Sequence, residues 1–203
     1  MPIFELPKIK YMNLVFASNN DHKLKEINSL LGDSFKLLSL HDINIDDDIP
    51  EEEPLIEGNA VAKARFVYSL TGRNVFADDT GLEIFALNGL PGVHSARFAG
   101  LNKDSTANIE KVLTMLGNNL NRAARFKTVI ALIIDKKEYL FEGVVTGSIT
   151  SSKRGISGFG YDPIFVPDGK TITFAEMDLA EKNSISHRAR AFEKLRVFLN
   201  HYR

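Results

Sequence analysis

The chain has no cysteine. That excludes a disulfide framework, a thiolate metal site and a cysteine nucleophile, and it fits a reducing compartment. Charge of either sign is not in surplus: 25 Lys and Arg stand against 26 Asp and Glu, a formal net charge of −1. A long nucleic-acid partner, which draws on a broad basic field, is therefore disfavoured. Residues Met1 to Lys10 hold two prolines, acid and base, but no apolar core of signal-peptide length. Long apolar runs are missing too, none approaching the roughly 18 residues that suggest a membrane span. These absences lead to the expectation of a cytoplasmic globular protein without a membrane partner. With 44% apolar residues over 203 positions, the chain can bury a real core, as a single domain over 1–203 or as two tightly joined lobes.

The run from Val75 to Phe98 organises the rest. An apolar strand, Val75 to Ala77, leads into Asp78 and Asp79, and Thr80-Gly81 is read as a turn into a second apolar stretch. Acids at a strand end suit a divalent cation, since Mg²⁺ takes hard oxygen ligands, keeps waters and shares its shell with substrate phosphates. The plain alternative is a polar turn, because Asp and Gly dominate turns for local reasons.

Strands and helices alternate around this run. Tyr11 to Ala17 reads as a first strand ending in the capping residues Ser18-Asn19-Asn20. A helix follows with Leu24, Ile27, Leu30 and Leu31 on one face, Lys23, Lys25 and Glu26 elsewhere, and Gly32 as its stop. Such a helix start is ready for an anion, and Lys23 in its first turn can reach one. Phe35 to Leu38 is a second strand. An acidic loop, Asp42 to Glu57, then carries Asp46, Asp47, Asp48, Glu51, Glu52 and Glu53. Most of these acids are surface, but one or two folded back towards Asp79 would complete a Mg²⁺ site.

Asn59 to Leu70 reads as a helix with Ala60, Ala64 and Val67 inward, and Asp104 to Leu116 as another. Arg97, between them, is a candidate for phosphate or for one of the acids. Phe126 to Ile134 and Glu138 to Thr150 form a long hairpin. Gly155 to Pro163 packs glycines around Phe159, Tyr161 and Asp162, which fits either a ligand-stacking loop or core aromatics at a tight turn. Glu181 to Arg188 gathers Lys182, His187 and Arg188, a set suited to an anion. A final helix buries Phe192, Leu195 and Phe198 or Leu199.

Together these stretches resemble the inosine triphosphate pyrophosphatase, or Ham1-like, family of non-canonical purine nucleoside triphosphate pyrophosphatases. The matching pieces are Ser18 to Lys23, Ala77 to Leu82, Leu90 to Arg97, Gly158 to Pro163 and Glu181 to Arg188, in the family's order over nearly the whole chain. The first departs from the family's Thr-Gly-Asn-x-x-Lys. Ser18 keeps the hydroxyl, and Asn19 stands where the family has glycine, Asn being tolerant of left-handed backbone.

The resemblance implies an α/β fold, a mixed β-sheet flanked by helices in two tightly joined lobes with the active-site cleft between them. It implies a Mg²⁺-dependent hydrolase that cleaves ITP, dITP and XTP between the α and β phosphates, cleansing the nucleotide pool, and a homodimer. Asp79 would be the general base, and Glu51, favoured over Glu52 and Glu53, would bind metal together with Asp79. Ser18, Asn19, Asn20, Asp21, His22, Lys23 and Thr80 would hold substrate, with Lys182 assisting at the phosphates. Phe159, Gly160, Tyr161 and Asp162 would line the base pocket, and His187 and Arg188 would donate to the purine 6-keto edge. A site that leaves buried donors unpaired rejects the mismatched base. Three rivals remain: a Maf-like enzyme, which Ser186-His187-Arg188 argues against; a nucleotide sensor without turnover; and a nucleic-acid module built on the basic stretch from Lys182 to Arg203.

Overall fold

The computed structural model describes residues 12–30, 35–45 and 49–202. The expectations placed on Tyr11, Leu31, Gly32 and Asp46 to Asp48 lie outside these residues.

The strands are β1 (Met12–Phe16), β2 (Phe35–Leu38), β3 (Val75–Ile84), β4 (Pro91–Gly92), β5 (Ala123–Ile134), β6 (Lys137–Ile149) and β7 (Phe165–Pro167). They form one sheet in the order β2-β1-β3-β5-β6-β7, with β4 pairing β3. The β1 pairs with β2 and β3 are parallel and all others antiparallel, so the sheet is mixed as expected. The helices are α1 (Asp21–Leu30), α2 (Ile56–Thr71), α3 (Ser105–Leu116), α4 (Leu179–Ile185) and α5 (His187–His201).

Local chemistry accounts for most boundaries. The β5–β6 hairpin turns at Asp135-Lys136, both left-handed at φ 48° and 66°, as a two-residue turn between twisted strands requires. Its first strand begins at Ala123, earlier than the apolar run suggests. Asp104 is the cap of α3 rather than its first residue, its carboxylate accepting from the N–H groups of Thr106 and Ala107. Helix α2 starts at Ile56, three residues before the expected Asn59, and ends where Gly72 turns left-handed. The final basic stretch divides at Ser186, whose hydroxyl caps α5.

One expectation fails in an informative way. Asp78-Asp79-Thr80-Gly81 is not a turn. All four residues continue β3, paired in register with Ile130, Val129, Thr128 and Lys127 of β5. Ten consecutive cross-strand pairs outweigh the local preference of Asp and Gly for turns.

Among the described residues there are three apolar clusters. Leu14, Phe16, Ile27, Phe76, Phe192, Leu195 and Leu199 pack α1 and α5 onto one face of the sheet. Val15, Ala60, Ala64, Val67, Val75 and Ala77 pack α2 onto the other. Around the far ends of β3, β5 and β6, Leu82, Ile84, Ile109, Phe126, Phe165 and Phe174 make the third with α3. The first two clusters are one lobe and the third is the other, joined by continuous strands. Among the described residues no helix is long and apolar enough to cross a membrane.

Candidate active site

Successive residues of a strand face opposite sides of its sheet. On β3 this sends Phe76 and Asp78 towards α1 and α5, and Ala77 and Asp79 towards α2. The two neighbouring acids therefore serve different faces. The simple picture of both meeting one cation is replaced by two separate polar systems.

On the α1/α5 face, six side chains alternate in charge. Asp162 accepts from Lys182 Nζ at 2.6 Å, and Lys182 also donates to Glu26 at 2.7 Å. Glu26 accepts from Arg188 as well, Arg188 Nε reaches Asp78 at 3.0 Å, and Asp78 accepts from Lys23 at 2.9 Å. All are buried except Lys23, whose side chain retains 13% exposure. Charges out of water persist only when paired and hydrogen-bonded, and here three acids balance three bases. Burial opposes the charge on Asp78, yet Lys23, Arg188 and Lys63 outweigh it and hold its carboxyl far below the usual range. Glu26 is also lowered, because Arg188 and Lys182 overcome its burial. Burial pushes the Asp162 carboxyl up, against the pull of Lys182 and of the Phe159 N–H. For Lys23, burial lowers the pKa more than Asp78 raises it.

Arg188 commits one N–H each to Asp78, Glu26 and Thr80. A guanidinium has five, so two remain for a ligand. From the sequence Glu26 is placed only off the apolar face of its helix. Its partners lie 156 and 162 residues away, and nothing local announces them.

On the α2 face, Lys63 Nζ stands between two carboxylates, 2.7 Å from Glu51 and 3.0 Å from Asp79. Asn59 Nδ2 lies 3.4 Å from Asp79 and its oxygen accepts the Glu53 N–H at 2.9 Å. Burial opposes the charge on Lys63, but Asp79 and Glu51 raise its pKa; Glu51 is lowered in turn, Lys63 overcoming its burial. Glu52 and Glu53 are exposed. Lys63 and Asn59 escaped the sequence analysis. The signal was there: they sit four residues apart on the inward face of α2 with Ala60, Ala64 and Val67, and a lysine on a buried face requires partners.

The remaining walls bring in the other candidates. Asn20 Oδ1 caps α1 by accepting from the N–H groups of His22 (3.0 Å) and Lys23 (3.2 Å), and Ser18 Oγ accepts from Asn20 N–H at 3.3 Å. Asn19 is not among the residues with positive φ, so the expected left-handed replacement of glycine is corrected. Asn19 and Asp21 are exposed at the rim. Thr80 shares a 2.6 Å contact with Thr128. Phe159 stacks on His22 with ring centroids 5.1 Å apart. Tyr161 is a core residue whose hydroxyl donates to Ser95 O at 2.9 Å. Gly160, half-buried, opens the turn between them. A side chain at Gly158, where φ is +74°, would meet Asp162 Oδ2 at 2.1 Å, so glycine is required there.

His187 is buried and stacked on Phe126 at 4.5 Å. Burial, reinforced by Arg188 and Lys182, holds its pKa well below 6.5. The imidazole is therefore neutral and donates from one nitrogen only, and its Nδ1 has no partner among the described residues.

Every residue that the resemblance assigns to substrate, metal or catalysis lines one cleft of about 530 Å³ between the lobes, together with Arg97, Lys63, Lys103 and Asn108, whereas Asp78, Glu52 and Glu53 do not line it. The cleft has the size and character of a small-molecule site. Residues 14–198 match the model of the Ham1 family. A dITP/XTP pyrophosphatase of Flavobacterium johnsoniae is 53% identical over 184 residues, 91% of this chain and 96% of that protein. A protein of the same name from Porphyromonas gingivalis is 50% identical, over 92% of this chain and 96% of its own. The solved structure of the Staphylococcus aureus Ham1 protein superposes with a TM-score of 0.85 at 40% identity, covering 94% of this chain and all of that one (100%). With its fold and nearly its whole length shared, the chain belongs to the Ham1 family.

Proposed function

We propose that the protein is a nucleoside-triphosphate pyrophosphohydrolase acting on dITP, XTP and ITP. Water attacks between the α and β phosphates, and the products are the monophosphate and pyrophosphate. The observation that carries this reading is Asp79, a carboxylate on the edge of an open cleft beside Lys63 and Glu51, in a chain so similar to proteins named dITP/XTP pyrophosphatase.

In this reading Asp79 accepts the proton of the attacking water, within the range of aid that a positioned base gives. The alternating chain on the opposite face sums to zero charge, and Lys63 is shared by two acids. Most of the cleft's bases are thus already matched by acids, and Arg97 and Lys103 add only a little positive charge for a polyphosphate. Glu51 and Asp79 suit a divalent cation: both already turn towards one cationic group, and Mg²⁺ is commonly held by one or two carboxylates plus waters and phosphates. Such an ion supplies charge neutralisation at the phosphates. Ser18, Asn20 and Lys23, with Lys182, hold phosphate at the start of α1. The two uncommitted N–H groups of Arg188 and the single donor of His187 meet a 6-keto oxygen and confront the 6-amino group of adenine. The same reading carries a cytoplasmic enzyme and a homodimer, the latter checked by sedimentation.

The test is pyrophosphate release from XTP, dITP, ITP, GTP and ATP, with Mg²⁺ and with EDTA. Metal-dependent release from the first three and little from ATP is the expected result. Equal rates on all five would remove the assignment of His187 and Arg188, and no release from any would remove the activity.

A further inference from the structure

We propose that Arg97 is a positioning residue. From the second lobe it fixes where Glu51 stands in the cleft, and through Glu51 it sets the affinity for the divalent cation. The inference rests on Glu51 and Asp79 as the ligands of that cation.

Residues 49–53 have no regular secondary structure, so the place of Glu51 depends on tethers. Lys63 holds its carboxylate at 2.7 Å, and Asn59 holds the Glu53 N–H at 2.9 Å. Both come from α2, on the same side as the acidic segment. Arg97 reaches from the opposite side, donating to the main-chain oxygen of Glu51 and lying 3.9 Å from Glu51 Oε2.

Arg97 itself stands on a fixed base. Asn108, buried on α3, accepts the Ala99 N–H at 2.6 Å and donates to Ala96 O at 2.9 Å, so both flanks of Arg97 are tied to one side chain. Ser95, just before it, bridges Gly92 O at 2.6 Å and the Leu82 N–H at 2.9 Å. A planar guanidinium on such a base is a directional clamp, which a lysine ammonium is not.

The tethers differ in what they survive. A cation held by Glu51 and Asp79 competes with Lys63 for those two carboxylates. The main-chain clamp from Arg97 leaves both carboxylate oxygens of Glu51 free, so it persists when a cation binds. Partners of this outer kind orient metal ligands, and their loss typically weakens binding by about ten- to a hundredfold.

The experiment titrates Mn²⁺ into protein without nucleotide and follows free Mn²⁺ by its electron paramagnetic resonance signal. The proteins are wild type, Arg97→Met, Arg97→Lys, Glu51→Gln and the Arg97→Met/Glu51→Gln double variant, each with its unfolding midpoint as a check on folding. Arg97→Met is expected to weaken Mn²⁺ about tenfold, at the low end of that range. Arg97→Lys recovers part of the loss, and in the Glu51→Gln background Arg97→Met adds nothing. Should Arg97→Met not fold, Asn108→Ala frees the flanks of Arg97 and is expected to weaken Mn²⁺ a few-fold. Wild-type affinity in Arg97→Met, additive losses in the double variant, or a wild type that takes up no Mn²⁺ would overturn the proposal. Failure to release pyrophosphate would sink the activity but leave this titration readable, so the two readings fail separately.

Discussion

Glu26→Gln takes one carboxylate from the middle of the alternating chain and leaves a neutral side chain of the same shape. Lys182 and Arg188, 3% and 1% exposed, then share two carboxylates, Asp162 and Asp78, with Lys23. The new amide turns an N–H₂ towards one of its former cationic partners. Removing one member of a buried ion pair costs about 3–5 kcal/mol. Because both cations keep a second carboxylate, at 2.6 Å and 3.0 Å, the low end applies, about 3 kcal/mol. At about 2–4 °C per kcal/mol for a chain of this size, the unfolding midpoint should fall by about 6–12 °C. Circular dichroism on both proteins across a pH series measures it. The Glu26 pKa in the folded protein lies below its ordinary 4.5. Its contribution is therefore complete above that value and lost as pH falls through the lower folded value. The gap between the proteins should be constant in neutral solution and close in acid. A midpoint lowered by less than about 2 °C near neutrality, or a gap that widens in acid, would refute the reasoning.

Other consequences can be checked directly. Asp79→Asn should slow pyrophosphate release by about 10²–10⁴, the range for losing a positioned base, and should also lower the unfolding midpoint, because buried Lys63 keeps only Glu51 as its carboxylate; a near-normal rate in the folded variant would remove Asp79 as the base. Gly143→Ala should destabilise by about 1–3 kcal/mol and raise the KM for XTP, because the new Cβ would stand 2.0 Å from His187 O and 2.5 Å from Ala191 N and push α5, which carries Arg188, off the sheet. Stability and KM unchanged would mean that α5 does not need this close approach. For His187, the lowered pKa means the neutral ring contributes stability above its ordinary value of about 6.5, lost as pH falls through the folded value. Its imidazole proton resonances should not shift between about pH 8 and 6, and a midpoint near 6.5 in that titration would contradict its burial.

What could be read from the sequence was periodic or local. Ala60, Ala64 and Val67 are fully buried on α2, Phe35–Leu38 is a strand with the expected bounds, and Phe192, Leu195 and Leu199 bury the last helix. What escaped depended on partners far along the chain. Asp78 to Gly81 has the composition of a turn, and only β5 alongside makes it a strand. Glu26 passes for a solvated helix residue until Lys182 and Arg188 arrive. The separate fates of Asp78 and Asp79 follow from strand alternation, and would have been predictable had the strand been extended through them. The same buried network changes how Arg188 should be tested: Arg188→Ala strips a partner from both Glu26 and Asp78, so it reports on folding before it reports on base choice.

The span of that network has a consequence for how the protein is made. Synthesis delivers Glu26 first, then Asp78, then Asp162, and only with α4 and α5 the bases Lys182 and Arg188. A nascent chain can pair β5 with β6 and dock α2 long before then, since those contacts are close in sequence. It can pair Asp78 with Lys23, but Glu26 and Asp162 have no base until the last helices emerge, and until then these two groups must stay hydrated and the cleft open. The binding site is therefore the final part of the molecule to close. A chain cut short before Lys182 would lose Lys182, His187 and Arg188 from the cleft and uncover the face of the sheet on which α5 packs.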